Sequence, residues 1–169
     1  MDQSNVSLNL IYRLASVRDL DPVYDLYMDE ASNPYLTYDP MDRKEFETVF
    51  QELLNTNTLY VVEKNNVIIA SYRLIQKTHR QSDTVYLGGF VIKTSLKGKG
   101  IGTKVLFHIK DEASRKGIKR LELTVDLDNE AAINLYKKVG FEIEGYIRKS
   151  YKLSSTNQYY DEYLMGLIL

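Results

Sequence analysis

Lys97-Gly98-Lys99-Gly100-Ile101-Gly102-Thr103 follows a β-rich stretch ending near Ile92 and opens an apolar-periodic segment. Ile101, Val105, Ile109 and Ala113 recur at every fourth residue with Leu106 alongside, which predicts an amphipathic helix over 100–116, with Gly117 as its stop. Three alternate glycines between a strand and a helix start describe an anion site. First-turn amides have no helical acceptor, and the helix dipole favours negative charge there. Glycines also let a pyrophosphate approach the main chain closely. Two common phosphate loops can be tested directly. A Walker A loop needs a glycine five residues after the first, but Gly98 leads to Thr103 and Gly100 to Val105. The dinucleotide fingerprint needs Gly or Ala three residues after its second glycine, where Thr103 or Val105 stands. Neither fits.

Working outward, Leu121-Glu122-Leu123-Thr124-Val125 reads as a strand, and Asn129 can cap a helix to Val139 that Gly140 ends. That helix and its sequel read Ala132-Ile133-Asn134-Leu135-Tyr136-Lys137-Lys138-Val139-Gly140-Phe141-Glu142-Ile143-Glu144-Gly145. Lys97, Gly100 and Gly102 match a Gln/Arg-x-x-Gly-x-Gly/Ala pattern, with Lys in place of Gln or Arg. The two stretches together resemble the core of the GNAT N-acetyltransferases, and the likeness extends more weakly over the whole chain. Lys keeps the positive charge of Arg but loses its planar fork. Glu144-Gly145 after Gly140-Phe141 and the later Asp161-Glu162-Tyr163 resemble bacterial enzymes acting on small amines, amino acids or polyamines.

Composition bounds the answer. At 169 residues the chain suits one domain, 1–169, large enough to fold without metal or disulfide support. It has no Cys, which excludes a disulfide framework, thiolate zinc ligation and a Cys nucleophile. There is no basic-then-apolar leader and no run near the ~20 apolar residues of a membrane span. The expectation is a cytoplasmic protein with no membrane partner. Net charge is −1, unevenly placed: nine acids and three bases in 18–47 sum to −6, and nine bases and two acids in 93–120 sum to +7. The basic block lacks stacking aromatics beyond Phe107, which argues against nucleic acid.

Along the chain, a strand is expected over 8–14 and a helix over 18–29, then a loop over 31–41 carrying Pro34 and Pro40. Asp42 can cap a second helix over 43–54. Strands over 58–63 and 67–74 form a hairpin about Asn65-Asn66, residues that tolerate positive φ. A strand over 84–92 is interrupted by Gly88-Gly89, which marks a bulge or a close approach. Strands over 120–125, 141–147 and 162–169 complete the set, with a polar connection over 154–158. This order makes an α/β sandwich around a mixed sheet. The family resemblance implies the same: a mixed, mostly antiparallel sheet of about six or seven strands flanked by about four helices. It also implies that the bulge splays two strands and opens a slot for pantetheine.

The resemblance further implies acetyl-CoA as cosubstrate, no metal, a small-molecule amine as acceptor, and direct attack of that amine on the thioester. A homodimer is compatible with it. A non-catalytic acyl-CoA-binding domain and an N-terminal protein acetyltransferase are the alternatives. Carried over residue by residue, the resemblance puts Lys97, Gly98, Lys99, Gly100, Ile101, Gly102 and Thr103 around the pyrophosphate. It puts the main chain of Phe90, Val91 and Ile92 along pantetheine, and Asn129, Asn134 and Lys137 near pantetheine or nucleotide. Tyr136 falls on the tyrosine that faces the CoA sulfur as proton donor. The residues alone allow plainer roles: Tyr136 shares a core-like face with Ala132, Leu135 and Val139, Asn134 and Lys137 suit a solvated face, and Asn129 suits an N-cap. Many family members keep a general-base Glu on the strand before the loop, where this chain reads Tyr86-Leu87-Gly88-Gly89-Phe90-Val91. Asp126 and Glu30 are the remaining candidates, and an acceptor of low pKa needs no base. His79, in a polar turn, and His108, on a wet helix face, are expected to be bystanders. The acids Asp25, Asp29, Glu30, Asp39 and Asp42 are expected to border the acceptor.

Overall fold

The computed structural model describes residues 9–169, so Leu8 of the expected first strand lies outside them. Seven strands form one sheet: β1 (Leu10–Leu14), β2 (Leu59–Lys64), β3 (Val67–Gln76), β4 (Thr84–Ile92), β5 (Arg120–Asp126), β6 (Glu142–Leu153) and β7 (Gln158–Ile168). Their order across the sheet is β1-β2-β3-β4-β5-β7-β6. β4 and β5 run parallel, and the other neighbours pair antiparallel. Four helices cover it: α1 (Leu20–Tyr27), α2 (Arg43–Asn55), α3 (Ile101–Arg115) and α4 (Glu130–Val139). Strand side chains alternate between two cores. Leu121, Leu123 and Val125 of β5 join α3 and α4 on one face, and Leu59 and Val61 of β2 join α1 and α2 on the other.

Local chemistry explains the boundaries. Asn65 and Asn66 both take positive φ, +51° and +63°, and close β2 onto β3 in a two-residue turn. Asp42 accepts the Glu45 N–H at 2.9 Å while the Glu45 carboxylate accepts the Asp42 N–H at 3.3 Å, a reciprocal cap for α2. α1 is shorter than expected, because residues 17–19 form a 3-10 turn and the chain leaves the helix at Met28. The following loop is built on buried Asn33, whose side-chain amide donates to the Tyr27 and Tyr38 carbonyls at 2.9 and 3.0 Å. The final hairpin is longer than its apolar pattern predicts. Its outer half pairs through exposed and half-buried residues, with Tyr151 stacked on Tyr160 at 5.4 Å. A bulge also places Arg148, Lys149 and Ser150 opposite Asp161, which accepts the Lys149 N–H at 2.7 Å. His108 is likewise not on a wet face: it is half-buried and stacks on Tyr12 with centroids 3.5 Å apart.

The feature that shapes the site is the break between β4 and β5. They pair only through Thr84–Arg120, Val85–Leu121 and Tyr86–Glu122. Beyond Tyr86 the strands part, and the cause is local. β3–β4 register steps from Arg73↔Gly88 to Ser71↔Val91, so Gly89 and Phe90 together oppose Tyr72. Gly89 sits at φ +55°, and a Cβ there would come within 2.9 Å of the buried Tyr27 hydroxyl. The Gly88-Gly89 interruption is therefore a bulge seated on α1.

Candidate functional site

The parted strands form the floor of a cleft of about 1140 Å³. At one end lies the glycine loop. Gly98 and Gly100 hold φ of +74° and +76°, with open space where each Cβ would stand, so glycine is needed there for backbone shape. Gly102 differs: a Cβ would meet Ile92 and Leu135 side chains at 2.9 Å, so it is needed for packing. The first helical bond runs from the Lys104 N–H to the Gly100 carbonyl at 3.2 Å, which leaves the amides of residues 98–103 without an acceptor among the described residues. This is the arrangement that receives an anion. Lys97 reaches from this loop to donate to the Ser32 hydroxyl at 2.9 Å, joining it to the loop after α1.

In the middle stand Phe90, Val91 and Ile92, on the stretch of β4 that no longer pairs with β5, with Tyr136 of α4 beside them. Tyr136 is buried, 7% exposed, its ring 6.4 Å from Phe90 and 5.8 Å from Phe141, so it is both core and cleft wall. Its hydroxyl has no hydrogen-bond partner among the described residues. Burial pushes its phenol well above the usual range, and nearby Tyr86 adds to the shift. Tyr86 itself is hydrogen bonded to Thr124 of β5 at 2.9 Å.

The far end is acidic. Asp39, Asp126, Asp128, Glu130 and Glu162 line it, against Lys97, Lys138 and Lys152 in the whole cleft. Asp126 is 5% exposed and accepts the Tyr151 hydroxyl at 2.6 Å. Its carboxyl is pushed up to about 6, chiefly by burial; the Tyr151 bond opposes the rise, and Glu162 and Asp128 add to it. Tyr35 faces the same group, its phenol raised by burial and then by Asp128 and Asp126.

Of the residues singled out from the sequence, Phe90, Val91, Ile92, Lys97, Gly98, Gly100, Gly102, Thr103, Asn129, Asn134 and Tyr136 line the cleft. Lys99, Ile101 and Lys137 do not: Ile101 is buried in the core and Lys137 is exposed, with Lys138 lining the cleft in its place. Asn129 is also the α4 cap, accepting the Ala132 N–H at 3.2 Å. Of the five early acids expected at the acceptor, only Asp39 lines the cleft; Asp29 instead accepts from Thr94 at 2.8 Å. Glu30 lies outside it too. Sequence reading missed Ser32, Tyr35, Asp128, Tyr151 and Glu162, which reach the cleft from the loop after α1, the turn before α4 and two strands beyond β5. Pattern reading carries no signal for them, since tertiary folding alone brings them in.

A family model described as the acetyltransferase (GNAT) family matches residues 20–141. The chain is similar to the N-alpha-acetyltransferase RimI of Mycobacterium tuberculosis, 31% identical over 110 residues covering 64% of this chain and 68% of that protein. It is also similar to the L-amino acid N-acetyltransferase AaaT of Escherichia coli, 33% identical over 95 residues covering 56% of this chain and 57% of that protein. These matches thus span about two thirds of one relative and little over half of the other. Among solved structures, a spermidine N-acetyltransferase from Vibrio cholerae in complex with CoA and spermine superposes with a TM-score of 0.79 at 21% identity. That match covers 94% of this chain and 95% of the other, a likeness of fold.

Proposed function

Because this chain belongs to the GNAT family of acetyltransferases, we propose that it moves the acetyl group of acetyl-CoA onto a cationic primary amine, such as a polyamine, a diamine or a basic amino compound. The enzyme class is acetyl-CoA-dependent N-acetyltransferase. The observation that carries the reading is the stretch of β4, between the glycine loop and Tyr136, that is left without a partner on its β5 side. Amides of residues 98–103 would hold the pyrophosphate, and the main chain of Phe90, Val91 and Ile92 would pair with pantetheine as a substitute strand. The thioester would then lie beside Tyr136. Asn129 and Asn134 would contact the cosubstrate from α4.

Tyr136 has a limited task on this reading. Its phenol is raised above its usual value of ~10, while a free thiolate protonates near 8.5, so full proton transfer is uphill. What a buried, protonated phenol does well is donate a hydrogen bond to sulfur as charge develops on it. That is worth at most a factor of about 10²–10⁴. Asp39, Asp126, Asp128 and Glu162 supply the preference for a cation, since a local excess of one sign of charge concentrates the opposite ion.

The similarity to RimI favours a second reading, in which the acceptor is the α-amine of a protein. One experiment separates them: release of CoA across polyamines, diamines, free amino acids and N-terminal peptides. Diamine and polyamine turnover well above the rest supports the proposal. A preference for glutamate or aspartate overturns it, and a preference for peptides selects the second reading.

A further inference from the structure

The family's usual base position on β4 holds no carboxylate here, yet an amine acceptor reaches an enzyme at neutral pH mostly as an ammonium. We propose that Asp126 takes the proton from that ammonium and that Tyr151 is the positioning residue that orients its carboxylate. The inference rests on the acetyl-transfer reading above.

Three observations carry it. First, Asp126 is a buried carboxylate with no ion-pair partner among the described residues, an arrangement that costs stability and calls for a reason. The other acid of β5 on that face, Glu122, is neutralised by Lys77 and Arg120. Second, Asp126 lines the same cleft as Tyr136. It lies two residues along β5 from Thr124, hence on the same face and roughly 7 Å away. Thr124 holds Tyr86, which lies near Tyr136. On this proposal an amine nitrogen held between thioester and carboxylate meets Asp126 directly or through one water. Third, the carboxylate is held. The Tyr151 hydroxyl donates to Oδ1 at 2.6 Å, and Tyr151 arrives there because the β6 bulge gives that strand three residues against Asp161.

The groups facing Asp126 are Tyr151 of β6, Glu162 of β7, Asp128 in the turn before α4, and Tyr35 across the cleft. Glu162 is itself hydrogen bonded by the Ser150 hydroxyl. With these neighbours the carboxyl titrates near 6, so it is ionised at neutral pH yet nearer in basicity to the acceptor than an ordinary aspartate. The protons balance as follows. The ammonium gives one proton to Asp126, which later passes it to solvent. The neutral amine forms the C–N bond and the C–S bond breaks, with the Tyr136 hydroxyl donating a hydrogen bond to the departing thiolate. The second proton shed by nitrogen passes to that thiolate and gives the free CoA thiol.

The test compares Asp126→Asn with the parent over pH 5–9, using putrescine and an electron-poor amine that is already neutral at pH 7, such as 2,2,2-trifluoroethylamine. The parent's kcat/KM for putrescine should rise through pH ~6, because the active form is the deprotonated one. Asp126→Asn should lose that limb and about 10²-fold in kcat/KM at pH 7, while the neutral amine loses far less. Tyr151→Phe removes the bond that holds the carboxyl down, so its limb should move to higher pH with acetyl-CoA affinity unchanged. Equal losses on both amines, or an unaltered limb in either variant, overturn the assignment and leave acetyl transfer standing. A folded parent that binds acetyl-CoA and acetylates none of the amines overturns both.

Discussion

The two ends of the cleft are built by different means. The glycine-loop end is made of main chain: left-handed Gly98 and Gly100, free amides, and one contiguous run of sequence leading into α3. The acidic end is made of side chains from five separate places, with Asp39 before α2, Asp126 ending β5, Asp128 after it, Tyr151 on β6 and Glu162 on β7. Backbone recognition depends on local conformation and is written in adjacent residues. Side-chain recognition depends on sheet order and register, which here inserts β7 between β5 and β6.

The largest expected effect lies where the two ends meet. Tyr136→Phe keeps the ring against Phe90 and Phe141 and removes only the donor, so turnover should fall about 10²-fold while melting temperature and acetyl-CoA affinity hold. Full activity at saturating substrates would show that Tyr136 is wall and not donor.

Next comes a matched pair. Gly100 and Gly117 stand at opposite ends of α3 with nearly equal φ, +76° and +78°, and open space around both Cβ positions. Gly100→Ala and Gly117→Ala should therefore each cost about 1 kcal/mol of stability, read by denaturant unfolding. Only Gly100→Ala should weaken acetyl-CoA binding, by about tenfold, an effect worth ~1.4 kcal/mol. Equal affinities in the two variants would remove the special status of the loop end.

A smaller effect probes the acidic end. Neutralising Asp128 and Glu162 together should raise KM for a diamine about fivefold at low salt and leave a neutral amine nearly unchanged. The difference should shrink as ionic strength rises and the Debye length falls from about 30 Å at 0.01 M to about 8 Å at 0.15 M. A salt-independent change would mean contact or shape, not field. Smallest is the control outside both ends. Asp42→Ala should cost about 1 kcal/mol by removing the α2 cap, with kinetic constants unmoved.

The same contrast explains what was legible in the sequence. The α3 start, the α4 cap at Asn129, the Asn65-Asn66 turn and the β4 bulge at Gly89 are each set by a few neighbouring residues, and each stands where those residues put it. The outer half of β6–β7 was not legible, because its pairing rests on Asp161 bridging a bulge and on tyrosine stacking, with no periodic apolar face. The acceptor wall was misplaced for a related reason. A run of acids on α1 and its loop gives a charge sum, but helix orientation turns Asp25 away from the cleft, and Thr94 engages Asp29. Only Asp39 remains.

The short parallel joint at Thr84–Arg120, Val85–Leu121 and Tyr86–Glu122 has a consequence for how the molecule comes apart. On either side of it, antiparallel pairing continues, bulges included, through β1–β4 and through β5–β7–β6, so the sheet is two broad ribbons sewn by a few stitches. Local opening follows such weak seams, and amides at the joint should exchange with solvent faster than those inside either ribbon. A ligand lying between β4 and β5 would touch both ribbons and act as the missing length of seam. At a hundredfold excess over Kd, binding adds about 2.7 kcal/mol to the folded state. The slowing of exchange should be concentrated in those few amides, so that occupancy of the cleft is read as cohesion of the sheet.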